Sequence, residues 1–429
     1  MWYKLKNNSF LRNVSVLMSG TAIAQILTVA SAPILTRLFT PEQFGVLGLY
    51  ISIISILTVL MTLRYEMAIV LPKNDKEAAN LLWLSLIITV FLTVILILVN
   101  AILGKKVALI LGSPELESWL WLVPFNAFCI GVYNSFNYWC TRNKQFWRLS
   151  RSRVVQSLGV VSTQTSGGVI GAGTGGLIGG QFLGQFLASV TLWWQVWKED
   201  RKLITASYNN QEIKKAVKVH KGFPLYNCSQ SLINAFSQNA APFLLAAFFG
   251  PSIVGFYSMA LRVIKMPMNL VSESFKQVYY QRASEIYNSG CSLNKHLIKA
   301  TTYLFLIGII PAILIFLFSP ILFSIFLGES WYEAGQYSSW LIIWLFAGLI
   351  NRPSVATIQI LGMQKKLLVY EILLFIVRVI TLFLCSLTFS ALTGVAVYSL
   401  IGALFNILLV FGTIFLVSKK EKVNEHNKT

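Results

Sequence analysis

Leu81–Leu103 reads LLWLSLIITVFLTVILILVNAIL, twenty-three residues without a charge. A bilayer's hydrocarbon core takes about 20 apolar residues of helix. This stretch is long enough to cross one, and it fixes the class of the chain. Working outward from it, comparable runs recur along all 429 residues. Twelve spans are predicted, at roughly 13–36, 43–63, 79–103, 118–140, 154–172, 175–197, 223–248, 253–273, 298–319, 336–361, 367–389 and 393–417. The fifth and sixth are the weakest, because the glycines from Gly167 to Gly184 dilute their hydrophobicity.

Bulk composition agrees. The chain is 55% hydrophobic and 12% charged, about half the charge of a soluble domain, yet its net charge is +19. A disordered or nucleic-acid-binding tail would be basic but not apolar. With the N-terminus placed in the cytoplasm, 28 of the 35 Lys and Arg residues fall in inward-facing loops and tails. Only Arg37, Lys105 and Lys106 fall outside, and four lie within spans. This is the positive-inside bias, and it predicts twelve spans with both termini cytoplasmic. The longest outer loops are expected at about 104–117 and 320–335, too short for the external catalytic loop of a membrane sugar transferase or polymerase.

Other chemistries find no residues to carry them. His220, His296 and His426 are scattered, and Cys129, Cys140, Cys228, Cys291 and Cys385 show no paired spacing. The only aspartates, Asp75 and Asp200, sit in polar segments, and no phosphate-binding GxxxxGK[ST] motif occurs. No catalytic residue, metal or organic cofactor is expected, and no nucleic acid partner. Ala30-Ser31-Ala32 imitates a signal-cleavage site, but Pro33 follows and the apolar run continues, so the first span is expected to be retained.

The halves repeat. Phe39-x-Pro41-x-x-x-Gly45 recurs as Phe249-x-Pro251-x-x-x-Gly255, each after a span that contains a proline, Pro33 or Pro242. Leu111-Gly112 echoes Leu327-Gly328, ahead of Trp119 and Trp331, and Asn143-Lys144-Gln145 echoes Met363-Gln364-Lys365. Six spans separate the copies, so both insert in the same sense. The expected fold is all-α and integral to the membrane, with 12 transmembrane helices in two six-helix bundles about an axis along the membrane normal. The expected lobes are 1–197 and 222–418. Between them 198–221 is expected as a basic cytoplasmic linker, and 419–429 as a disordered cytoplasmic tail.

Several segments resemble one family. Leu35-Thr36-Arg37-Leu38-Phe39-Thr40-Pro41-Glu42-Gln43-Phe44-Gly45 is similar to the first-loop signature of polysaccharide-export flippases. So are Arg64-Tyr65-Glu66-Met67-Ala68-Ile69-Val70-Leu71-Pro72, Phe223-Pro224-Leu225-Tyr226, Phe248-Phe249-Gly250-Pro251 and Leu327-Gly328-Glu329-Ser330-Trp331. The chain resembles the Wzx-type O-antigen flippases of the multidrug/oligosaccharidyl-lipid/polysaccharide exporter superfamily. The resemblance implies two lobes around a central cavity. It also implies that an undecaprenyl-diphosphate-linked oligosaccharide moves from the cytoplasmic to the periplasmic leaflet of a bacterial inner membrane. Membrane lipids, and the polymerase and chain-length proteins of polysaccharide assembly, are the expected partners. A multidrug cation exporter of the same superfamily, an integral-membrane sugar transferase or polymerase, and a passive subunit of an envelope machine are the alternatives.

Candidate site residues follow from charges placed where lipid should be. Arg262, Lys265, Arg352 and Arg378 lie within spans, all in the second half. Three arginines near mid-depth would cost roughly 8–10 kcal/mol if they faced lipid. They are expected to face a hydrated cavity and bind diphosphate, or else to pair structurally. Gln25, Asn234 and Gln238 could meet sugar hydroxyls or another helix. Glu66 and Glu371 are the candidates for coupling to H+ or Na+, with Glu273 expected in an interfacial ion pair. Pro33, Pro242 and Pro353 are expected kinks, with bending at the first and seventh spans opening and closing the cavity.

Overall fold

The computed structural model describes residues 9–289 and 292–426, and among these the regular structure is helix, with no strand. The helices are α1 (Ser9–Ala30), α2 (Ala32–Leu38), α3 (Pro41–Leu60), α4 (Asp75–Ile110), α5 (Pro114–Leu120), α6 (Leu122–Arg142), α7 (Phe146–Val169) and α8 (Thr174–Ala206). They continue as α9 (Asn210–Val219), α10 (Ser229–Phe249), α11 (Pro251–Asn288), α12 (Leu293–Leu327), α13 (Tyr332–Ile350), α14 (Arg352–Ile360), α15 (Gln364–Thr388) and α16 (Ala391–His426). Two 3-10 turns, Tyr65–Val70 and Glu329–Trp331, and a π-type turn, Phe223–Cys228, complete the described chain.

Joined end to end, α1 with α2, α5 with α6, and α13 with α14 each make one rod, so the predicted spans correspond to twelve rods among the described residues. Eight are apolar enough to cross a membrane by length and composition. The other four, α5–α6, α7, α8 and α11, carry the glycines, polar groups and cations that lowered hydropathy in the sequence. Rods outrun the predicted spans. α4 reaches Ile110 and α12 reaches Leu327, so most of both expected outer loops is helix. The expected linker is helix too: its first residues continue α8 to Ala206, and α9 follows with Ile213 buried. The expected disordered tail is corrected in part, because α16 runs to His426, while 427–429 lie outside the described residues.

Turn chemistry explains the breaks. Thr40 caps α3: its hydroxyl accepts from the Gln43 N–H at 3.3 Å, and the Gln43 side chain accepts from the Thr40 N–H at 3.0 Å. Pro41 occupies the first turn, where a missing N–H costs nothing. Gly112 and Gly328, the repeat's second echo, both end long helices with positive φ, 60° and 108°.

Residues up to Gly255 form one compact unit and those from Phe256 the other. In the first, Tyr65, Ile69, Leu81, Leu82, Trp139 and Leu192 sit in the largest described core. α7 and α8 meet through small residues: a Cβ on Gly180 would lie 2.4 Å from Gln164, and one on Gly184 2.3 Å from Val160. The glycines that diluted hydropathy therefore permit close helix approach. In the second unit, Tyr279, Ala283, Leu297, Ala356 and Val417 pack α11, α12, α14 and α16 together.

The principal repeat is a contact. A Cβ on Gly45 would lie 1.8 Å from the Pro251 carbonyl oxygen, and one on Gly255 1.9 Å from the Pro41 carbonyl oxygen. Each copy of the motif supplies the proline turn that the other copy's glycine approaches.

Candidate functional site

Three of the four in-span cations come from α11 and α15, and Arg352 opens α14. Arg378 is buried, with 6% of its surface exposed. Its guanidinium carbon lies 3.8 Å from the Trp344 ring centroid and 3.5 Å from that of Tyr398. Its Nε donates to the Tyr398 carbonyl at 3.3 Å, and one terminal nitrogen has no partner among the described residues. Gly402 makes this cage possible, since a Cβ there would lie 2.7 Å from Trp344 and 3.2 Å from the guanidinium. Lys265 shares the same indole, its Nζ 5.9 Å from the Trp344 centroid. Two cations held on one aromatic ring repel each other, while the ring's negative face offsets part of that cost.

Arg262 is half-buried, three residues before Lys265 and so on a neighbouring part of the same helix face. Arg352 is exposed. It follows Asn351, where α13 ends, and precedes Pro353 in the first turn of α14. The Asn351 amide donates to Asn406 at 2.7 Å, and the Asn406 amide donates to the Gly402 carbonyl at 2.6 Å. A buried polar chain therefore links the kink beside Arg352 to the glycine under the Arg378 cage. Among the described residues, no carboxylate lies within ion-pairing distance of Arg262, Lys265, Arg352 or Arg378. Glu371 is exposed on α15 and does not pair with Arg378.

Glu66 is 1% exposed in the turn after α3. It accepts from the Thr62 hydroxyl, and Arg64 stands 3.5 Å away. Burial pushes its carboxyl above the usual carboxylate range, against the smaller downward pull of Thr62 and Arg64. Leu63 and Arg64 have φ of 48° and 64°, left-handed values that non-glycine residues rarely adopt. The turn thus carries backbone strain beside a buried acid. The side chain of Glu273 lies outside the described residues.

The remaining predicted residues fall in the first unit, except Pro353. Asn234 and Gln238 are exposed on one face of α10, with the Gln238 amide donating to Asn234 at 2.5 Å. Gln25 is half-buried on α1 and its Oε1 has no partner among the described residues. Pro33 lies in the first turn of α2 after the break at Ser31, whereas Pro242 is buried inside an uninterrupted α10.

Sequence reasoning missed the groups that hold these residues. Trp344 and Tyr398 are 34 and 20 positions from Arg378, on other helices, and nothing local marks them. Asn406, an amide in an apolar final span, was a signal that could have been used. Arg148, placed among the loop cations, is buried and binds both Glu199 and Asp200, the latter at 3.0 Å.

Comparison with known proteins bears on the fold and the family. A family model described as polysaccharide biosynthesis protein matches residues 34–336. No curated protein matches in sequence. Among solved structures, an inward-facing multidrug resistance MATE family transporter of the MOP superfamily aligns with TM-score 0.76 and 18% identity, covering 96% of this chain and 99% of that one. The lipid II flippase MurJ, in an inward closed conformation, aligns with TM-score 0.74 and 13% identity over 95% and 90% of the two chains. An outward-facing MATE family transporter of the MOP superfamily gives 0.51, with 15% identity over 96% and 93%. The fold is the two-bundle, twelve-helix fold of these transporters, and the chain belongs to the polysaccharide biosynthesis protein family.

Proposed function

We propose that this protein is a flippase for undecaprenyl-diphosphate-linked oligosaccharide repeat units, of O-antigen or a related surface polysaccharide. It carries them from the cytoplasmic to the outer leaflet of a bacterial inner membrane by alternating access. The observation that carries this reading is the set of four in-span cations without a carboxylate partner among the described residues. A diphosphate supplies the missing negative charge, and arginine's planar fork suits phosphate oxygens.

Roles follow from accessibility. Arg352, exposed at the start of α14, is assigned the direct phosphate contact, and the half-buried Arg262 and Lys265 of α11 are assigned as further cations of the proposed path. Arg378 is covered by two rings and acts through its field and through the free terminal nitrogen. The exposed Asn234–Gln238 pair and the unpartnered Gln25 oxygen offer neutral groups to sugar hydroxyls. Glu66, buried with a raised carboxyl and a strained turn, is the coupling group for H+ or Na+, ahead of the exposed Glu371. Pro33 and Pro353 mark the hinges that the helix breaks support, and Pro242 bends α10 during the cycle.

A cation exporter would need a carboxylate-lined path, and the in-span charges are mostly basic. Deletion in a host that makes surface polysaccharide tests the proposal. Lipid-linked repeat units should accumulate on the cytoplasmic side and surface polymer should stop; normal polymer display would refute it.

A further inference from the structure

α8 has 33 residues, about 50 Å at 1.5 Å per residue, against a hydrocarbon core of about 30 Å. Its final turns must therefore stand among lipid headgroups or beyond. Trp193, Trp194 and Trp197 come first, as an interfacial aromatic belt would, and Lys198, Arg201 and Lys202 follow. Trp193 and Trp197 stack with centroids 6.2 Å apart. The Lys198 ammonium sits 5.5 Å from the Trp194 ring.

Helical spacing places Trp194, Trp197, Lys198, Arg201 and Lys202 on one side. Together with Glu199 they line an open pocket of about 600 Å³. The only acids in this stretch, Glu199 and Asp200, are taken up by Arg148 of α7, and Asp200 also accepts from the Trp139 indole N–H at 3.0 Å. Lys198, Arg201 and Lys202 are left without a carboxylate partner among the described residues. Arg148 offsets one of the two acidic charges and holds both carboxylates toward α7, so the three pocket cations outnumber the one negative charge that remains.

We infer that this pocket is a binding site for the headgroup phosphate of an anionic phospholipid, which sits on the three cations with its glycerol region against Trp194 and Trp197. The site is separate from the proposed transport path and does not depend on which lipid-linked sugar is carried.

Native mass spectrometry of the full chain in detergent, with phosphatidylglycerol and phosphatidylcholine added in equal amounts, tests this. The wild-type chain should retain phosphatidylglycerol in preference. Each cation near an anionic headgroup contributes about fivefold, so Lys198→Gln/Arg201→Gln/Lys202→Gln should weaken that retention on the order of 100-fold. Lys214→Gln/Lys215→Gln/Lys218→Gln, which removes the same charge from α9, should leave it unchanged and serves as the folding and net-charge control. Equal retention of both lipids by the wild-type chain, or equal loss in the two triple variants, would overturn the site. Displacement of the lipid by soluble glycerol 3-phosphate would overturn its lipid source.

Discussion

Gly45 and Pro251 touch backbone to backbone, leaving no room for a Cβ beside the Pro251 carbonyl, and Gly255 does the same against Pro41. The contact is reciprocal because the two loops are copies of one motif. Pro starts each helix, and Gly one turn later lets the facing turn approach. Gly45→Ala or Gly255→Ala should therefore destabilise by about 1–3 kcal/mol, the usual cost of overpacking. Gly179→Ala, with nothing within 4 Å of the added carbon, should be neutral or stabilising by up to about 1 kcal/mol. Thermal unfolding in detergent checks all three.

The cage around Arg378 makes a second prediction. Gly402→Ala should drive a methyl into Trp344 and the guanidinium, costing about 1–3 kcal/mol. Arg352→Ala, at an exposed position, should change stability by less than about 0.5 kcal/mol. It should nevertheless slow transport by roughly 10- to 100-fold, the worth of a charge-assisted hydrogen bond. Unfolding midpoints and transport rates measured on the same preparations separate the two effects.

Glu66 predicts a pH dependence. Its carboxyl is raised in the folded chain, so its contribution to stability is full at low pH and is lost as pH rises through the raised value. Arg64 opposes this from 3.5 Å, and Tyr138 and Cys228 are the other titratable groups that sense the pair. Across the range from about pH 4.5 upward, the wild-type unfolding midpoint should fall relative to that of Glu66→Gln. Parallel profiles for the two proteins would contradict the assignment.

Arg148 joins α7 to α8 through Glu199 and Asp200, and Trp139 donates to the same Asp200. Arg148→Ala should cost about 1–3 kcal/mol by stranding Asp200, which is mostly buried. Adding Asp200→Asn should recover part of the loss, read as a double-mutant cycle on unfolding midpoints.

Much of this was legible in the sequence, for reasons that can be stated. The twelve rods followed from apolar runs and from the sorting of cations, even for α5–α6, α7, α8 and α11, whose hydropathy alone is too low. The Pro–Gly repeat was visible at Pro41 and Pro251, but not that its copies touch, because a contact across two hundred residues leaves no local mark. Arg262, Lys265, Arg352 and Arg378 stood out because charge inside a span is costly. The burial of Arg378 is set by Trp344, Tyr398 and Gly402, residues ordinary in an apolar helix. Glu66 stood out as a coupling candidate, but its burial was not legible; it follows the left-handed Leu63–Arg64 turn, which no local signal marks.

The central claim is movement of a diphosphate-linked lipid, and proteoliposomes test it most directly. The purified chain is reconstituted with a fluorescent undecaprenyl-diphosphate oligosaccharide, and a membrane-impermeant quencher is added outside. The account predicts that the inner-leaflet pool becomes quenchable at a rate well above protein-free liposomes, and that Arg352→Ala slows this. A rate equal to that of empty liposomes, or equal movement of a neutral lipid lacking the diphosphate, would contradict it.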